Sequence, residues 1–217
     1  MIAVIAAVLM TCAAGFSQVD PETRAMWLTR WYCTNDTQIQ ECVDYMVAHN
    51  FNALYVQVYG DGYALYNSSF VPHSYLVASD FDALASAITK GHAAGLEVHA
   101  YINAYNVYSG GLGSPSDPDH IINSNPEWAM EDDTGWSMIN NVGASGTMIF
   151  YTACGGSAYY NQYLHDVVME IVNNYAVDGV HLDYIRYPET NYDYNQICED
   201  EFYSLYGKYP TAGDADW

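Results

Sequence analysis

Apolar residues in this chain fall alternately into short runs and into longer stripes of helical period. The run Arg24 to Tyr32 is too short for a helix and closes on a charged aromatic rim, Arg30-Trp31-Tyr32, which predicts a strand. Ile39, Cys42, Val43, Met46 and Val47 then recur at i, i+3, i+4, i+7 and i+8, one face of an amphipathic helix. Thr37 with Gln40 predicts a capping box at its start, and His49-Asn50 closes it. Ala53 to Tyr59 predicts a second strand, and Gly60-Asp61-Gly62-Tyr63 turns away after it. Past a loop from Tyr66 to Ser79, a helix is predicted over 81–94. Phe81, Leu84, Ala85, Ile88 and His92 lie along its face, and Gly95 stops it. Leu96 to Asn103 predicts a third strand.

The stretch from Ala104 to Ser157, rich in Gly, Ser, Pro and Asn, reads as one long irregular segment, the kind that forms lids and binding loops. A helix over 159–174 turns Tyr160, Leu164, Val167, Val168, Ile171 and Val172 inward. Asp178-Gly179 then releases the chain into a fourth strand, stopped by Pro188. Side chains alternate along a strand, so His181, Asp183 and Ile185 share one face while Val180, Leu182, Tyr184 and Arg186 share the other. A short helical piece, Glu201 to Tyr206, follows.

Strands that alternate with helices and read as buried runs imply an α/β fold with a parallel sheet. No glycine-rich phosphate turn follows the first strand, which counts against a dinucleotide fold. Polar and aromatic residues gathered at the ends of four successive strands match the active-site face of a TIM-type (β/α)8 barrel. Such a barrel takes about 250 residues. The expectation is therefore a barrel truncated to about its first four βα units, cut at Trp217.

Composition narrows the partners. Five Lys plus Arg stand against 26 Asp plus Glu, a formal net charge of −21, so clustered cations for nucleic acid or anionic membrane are lacking. A neutral substrate, or one met by a few placed arginines, fits better, and 22 tyrosines offer flat apolar rings with polar tips for ligands both apolar and hydroxylated, sugars included, although most of them serve packing. Met1 to Ser17 is almost wholly apolar or small, and Ile2 to Met10 is too short to span a bilayer. This segment reads as a signal peptide over 1–17, cleaved before Gln18. That predicts an exported protein, periplasmic or extracellular, with no membrane span after removal of the leader. The domain then covers 18–217. Cys33, Cys42, Cys154 and Cys198 remain, an even number that permits disulfides without specifying a pairing, at spacings that match no zinc signature. His73, His92, His120 and His165 are too scattered for a metal set, and neither metal nor cofactor is expected. Oligomeric state stays open.

Four stretches carry a resemblance: Arg24-Ala25-Met26-Trp27-Leu28, Val56 to Tyr66, Val98-His99-Ala100-Tyr101-Ile102-Asn103, and Asp178 to Pro188. From roughly Arg24 to Trp217 the chain resembles the bacterial glycosyl-hydrolase-like family ten. Those are exported barrel proteins related to glycoside hydrolases, some implicated in cutting cell-wall glycan. The resemblance implies a TIM-type barrel and hydrolysis of glycosidic bonds, with the C-terminal strands and whatever acid they supply missing from this chain.

Glycoside hydrolysis canonically uses two carboxyl groups. Asp183, near the end of the fourth strand, is the expected nucleophile or stabilising carboxylate, with His181 two residues before it. A salt bridge to Arg186 or Arg30 is the structural alternative for it. Asp178 belongs to the turn at the opposite end. Asp61 and Glu127 are the partner acids this chain could offer, and the absent half is the other source; in that case the fragment is inactive alone. Arg30 and Arg186 could bind a substrate carboxylate or pair with local acids. Gln57, Tyr59, His99, Tyr101 and Asn103 offer donors and stacking surface. Alternate faces cannot all point inward, so Gln57 and Tyr59 are paired with His99 and Asn103 as sugar contacts. Trp31, Trp128 and Trp136 are possible platforms. The alternative to catalysis is a carbohydrate-binding barrel in which Asp183 only hydrogen-bonds a sugar; a metal-dependent deacetylase is a further rival.

Overall fold

The computed structural model describes residues 22–110, 115–138 and 149–211. The expected leader, Met1 to Ser17, lies outside them. Strand β1 (Ala25–Leu28) leads into helix α1 (Asp36–Ala48), strand β2 (Ala53–Gly60) and the two-residue strand β3 (Tyr63–Ala64). Helix α2 (Ala83–Ala93), strand β4 (Glu97–Asn103) and strand β5 (Asn106–Gly110) follow. Next come the short helix α3 (Ile121–Ser124), a 3-10 turn (Pro126–Trp128) and strand β6 (Ile149–Thr152). The chain then forms helix α4 (Ala158–Asn174), strand β7 (Gly179–Asp183) and helix α5 (Gln196–Tyr206).

The main sheet runs β1-β2-β4-β7, every neighbouring pair parallel, and β3 folds back antiparallel on β2. It is an open, partial parallel sheet of the kind a truncated barrel leaves. Leu54, Val56, Val98, Ala100 and Ile102 are fully buried on one face, packed with Ile39, Val43 and Met46 of α1, Leu84 and Ala87 of α2, and Tyr160, Val167 and Ile171 of α4. The helical period thus supplies most of the stripe that covers this face. Val47 of α1 and Ala85 and His92 of α2, expected on it, are exposed, and α2 instead buries Ala83, Leu84, Ala87 and Gly91. β7 differs from its expected character. It is an edge strand with no fully buried residue, and Leu182 is 41% exposed.

Three local expectations are corrected. The cap of α1 is Asn35, whose side chain accepts from the Gln38 amide, rather than Thr37; an Asx oxygen two residues earlier reaches the free amides first. The segment read as wholly irregular holds β5 and β6, paired antiparallel, together with α3. Val172 is exposed on α4, whereas Glu170 takes a place on its buried side. Gly95, at φ 76°, does end α2 as expected.

Candidate active site

Parallel register brings the C-terminal strand ends level: Gln57 lies beside Tyr101, Tyr101 beside His181, and Asn103 beside Asp183. Asp183 is the last residue of β7. Tyr184 follows in the left-handed region, at φ 53°, an uncommon conformation for a non-glycine residue. The reversal places the Tyr184 amide 2.7 Å from Asp183 Oδ1 and swings Arg186 back to the same oxygen at 3.4 Å. Strand alternation therefore ends at Asp183, and Arg186, expected on the opposite face, comes to its side. Across the sheet the Tyr101 hydroxyl donates to Asp183 Oδ2 at 2.8 Å. Burial works to raise this carboxyl, but the Tyr184 amide, the Tyr101 hydroxyl and the Arg186 guanidinium outweigh it and hold the group below the ordinary aspartate range.

A chain of polar contacts runs along the neighbouring strand ends. Gln57 Nε2 donates to Asn103 Oδ1 at 3.1 Å, and Gln57 Oε1 accepts from the Arg30 amide at 3.0 Å. The Arg30 guanidinium meets Asp61 Oδ2 at 2.6 Å, both side chains being nearly buried, and Ser109 donates to Asp61 Oδ1 at 2.5 Å. His120, fully buried, sits 2.7 Å from the Asp61 carbonyl and against Gly62, where φ is 73° and any Cβ would strike the imidazole. Both Asp61 oxygens are engaged, so it serves as an anchor for Arg30. Glu127 stands exposed on the 3-10 turn.

Further along the same face lies an aromatic cluster. His181 stacks on Tyr55 with centroids 4.9 Å apart, and its Nε2 accepts from the donor-only Trp27 indole at 3.3 Å. His99 meets Tyr55 edge-on and lies 3.3 Å from Glu97, away from the Asp183 carboxylate. Tyr59 does not join this face. The β2–β4 register shifts between Gln57 and Tyr59, so Tyr59 pairs with Ile102 and packs, fully buried, in the core that contains Tyr160. One bulged residue moves every later side chain to the other face. Trp128 is likewise packed against Tyr160 and Tyr163, while Trp31 and Trp136 remain exposed.

Residues 22–217 match the model of the family described as Glycosyl hydrolase-like 10. The chain belongs to that family. It is 26% identical over 226 residues to Glycosyl hydrolase YngK of Bacillus subtilis (strain 168), covering 93% of this chain and 40% of that protein. The chain thus spans about two fifths of the length of this curated relative. A hypothetical protein from Ruminiclostridium thermocellum shares the fold, with TM-score 0.57 and 19% identity over 85% of this chain and 93% of that one. So does alpha-L-fucosidase isoenzyme 2 from Paenibacillus thiaminolyticus, with TM-score 0.62 and 21% identity over 89% and 27%.

In this glycosyl hydrolase-like 10 chain, one group that the sequence named without favouring it bonds Asp183, and one feature escaped the sequence pattern. Tyr101 has the strand parity of His99 and Asn103, and that parity was the available signal for it. A cavity of about 380 Å³ past the end of β7 is lined by Tyr184, Arg186 and Tyr187 together with Asn106 and Thr152, the last two from strands hidden in the segment read as irregular. Two acids stand above the ordinary range. Burial, then the charges of Glu199 and Asp132, raises Glu131. Burial, then Glu131, pushes Asp193 up to about 7. No helix among the described residues is long and apolar enough to cross a membrane.

Proposed function

We propose that this chain takes part in hydrolysis of O-glycosidic bonds in a glycan, cell-wall glycan being the substrate that suits an exported family member, with Asp183 as nucleophile or charge-stabilising carboxylate. One observation carries the reading. Asp183 closes a parallel strand at the C-terminal end of the sheet, and three donors favour its ionised carboxylate. An ionised carboxylate can attack the anomeric carbon or stabilise the oxocarbenium-like transition state. Arg186 and the Gln57–Asn103 pair stand where sugar hydroxyls or a substrate carboxylate could be held, and Arg30 positions Gln57. The protonating acid is left to a second carboxyl group; Asp61 is a poor source because Arg30 and Ser109 occupy its oxygens.

The test is Asp183→Asn and Asp183→Ala in the longest natural form of the protein, assayed on cell-wall glycan and on synthetic aryl glycosides. A fall in kcat of about a thousandfold or more, with glycan binding retained, supports the role; removal of one well-aimed charge-stabilising group costs roughly that much elsewhere. A wild type that binds glycan without cleaving any would establish the carbohydrate-binding alternative instead.

A further inference from the structure

Away from the Asp183 carboxylate, three side chains with metal-ligating atoms converge. Cys154 lies in the turn between β6 and α4, Cys198 in the first turn of α5, and Asp193 in the loop that joins β7 to α5. All three are buried, at 0%, 7% and 3% exposure, and one ligand atom from each lies within 4.8 Å of the others. The two sulfurs are joined as a disulfide, with Cα atoms 7.6 Å apart, beyond the roughly 4.4–6.8 Å usual for that bond. Asp193 Oδ2 lies 3.4 Å from Cys198 Sγ, and Asp193 Oδ1 has no hydrogen-bond partner. The Gly156 and Glu131 backbone amides compensate the Asp193 carboxylate in part, but a disulfide has no charge to offer it, and a buried carboxylate without a counter-charge is costly. A cation accounts for all three groups at once.

We propose that Cys154, Cys198 and Asp193 form a zinc site when the two cysteines are reduced. Two thiolates and a carboxylate make a donor set that favours zinc over calcium or magnesium. Zn–S bonds of about 2.3 Å at a tetrahedral angle hold sulfurs roughly 3.8 Å apart, a spread that the wide Cα separation accommodates. Asn195 supports the arrangement: its Oδ1 accepts the Cys198 amide at 3.0 Å and lies 3.6 Å from Cys154 Sγ. The fourth position would face a cavity of about 760 Å³ lined by Asp193, Cys198, Tyr187, Tyr192 and Phe202. The ion would pin the β7–α5 loop, which begins at the Asp183 strand end, to the turn that opens α4. Reduction by a phosphine consumes one water: the phosphine becomes its oxide and the sulfurs leave as two thiols. Zinc then displaces both thiol protons to solvent.

The probe is cobalt(II), added to phosphine-reduced protein without oxygen and followed by absorption. One equivalent should give tetrahedral d–d bands and a thiolate-to-cobalt charge-transfer band, and one equivalent of zinc should erase them. Cys154→Ser and Cys198→Ser should abolish the charge-transfer band, whereas the Cys33→Ser/Cys42→Ser double variant should keep it. Asp193→Asn should weaken binding about tenfold or more, the scale on which even outer-shell partners act. Absence of the bands from reduced, folded wild type overturns the proposal. So does a full signal in Cys154→Ser, or wild-type affinity in Asp193→Asn. Should the serine variants fail to fold, the wild-type titration and Asp193→Asn decide the matter by themselves.

Discussion

The Tyr101 hydroxyl reaches Asp183 Oδ2 at 2.8 Å, while the Arg186 guanidinium, largely exposed and lying over the Tyr184 ring, reaches Oδ1 only at 3.4 Å. The closer and better shielded donor does more to favour the charged carboxylate. Tyr101→Phe should therefore raise the Asp183 titration toward the ordinary aspartate range, and Arg186→Met should raise it less. Carboxyl carbon NMR of the two variants checks this, and an unmoved Asp183 in Tyr101→Phe would contradict it. The linkage has a definite sign. With the folded carboxyl held below its unfolded value, Asp183 stabilises the fold above the unfolded value, and that contribution is lost as pH falls through the folded one. Tyr101→Phe should bring folded and unfolded values closer, so that less stability is lost on acidification. Parity along β4 made Tyr101 legible in the sequence. The left-handed Tyr184, which turns Arg186 to the same carboxylate, carries no such mark, because a non-glycine residue in that region is held there by its surroundings.

At the scale of elements, α4 does more than cover the sheet. Glu170 lies on its buried side and accepts from Ser68 Oγ at 2.5 Å, from the Ser69 amide at 2.6 Å and from Ser69 Oγ at 2.5 Å, with Tyr66 at 3.3 Å. Burial tends to raise this carboxyl, but those donors together hold it below the ordinary glutamate range. The helix thereby fastens the loop between β3 and α2. Glu170→Ala should cost about 1–3 kcal/mol by stranding buried donors, read as a lower denaturation midpoint at unchanged slope, whereas Asp166→Ala on the exposed face should cost little. A charged residue between Val167 and Ile171 was the available sign of this clamp. The helices themselves were legible because their apolar spacing records the face they bury. Boundaries and register were less so: the bulge that turns Tyr59 into the core depends on how β2 meets β4, not on either strand alone.

At the scale of the molecule, β1 and β7 each have one parallel neighbour among the described residues, and Trp27, Leu182 and Ile185 are 53%, 41% and 59% exposed near those edges. Unpaired strand edges flanked by apolar side chains invite pairing with other chains. The isolated chain should therefore associate with rising concentration in sedimentation velocity, and Leu182→Lys should shift it toward monomer. A wild type that stays monomeric throughout the concentration range would count against this view of the edges.

The sequence by itself determined the alternation of the four main-sheet strands with the helices between them, the parallel α/β character of the sheet and the placing of Asp183 at a strand end, because periodicity and strand-end polarity are properties of neighbouring residues. Only the tertiary structure decided which groups meet. Asp183 with Tyr101, His181 with Trp27, Arg30 with Asp61 and Cys154 with Cys198 are brought together by register, one bulge and one left-handed residue. Contacts between residues so far apart along the chain depend on how whole elements pack, and local spacing does not encode that packing.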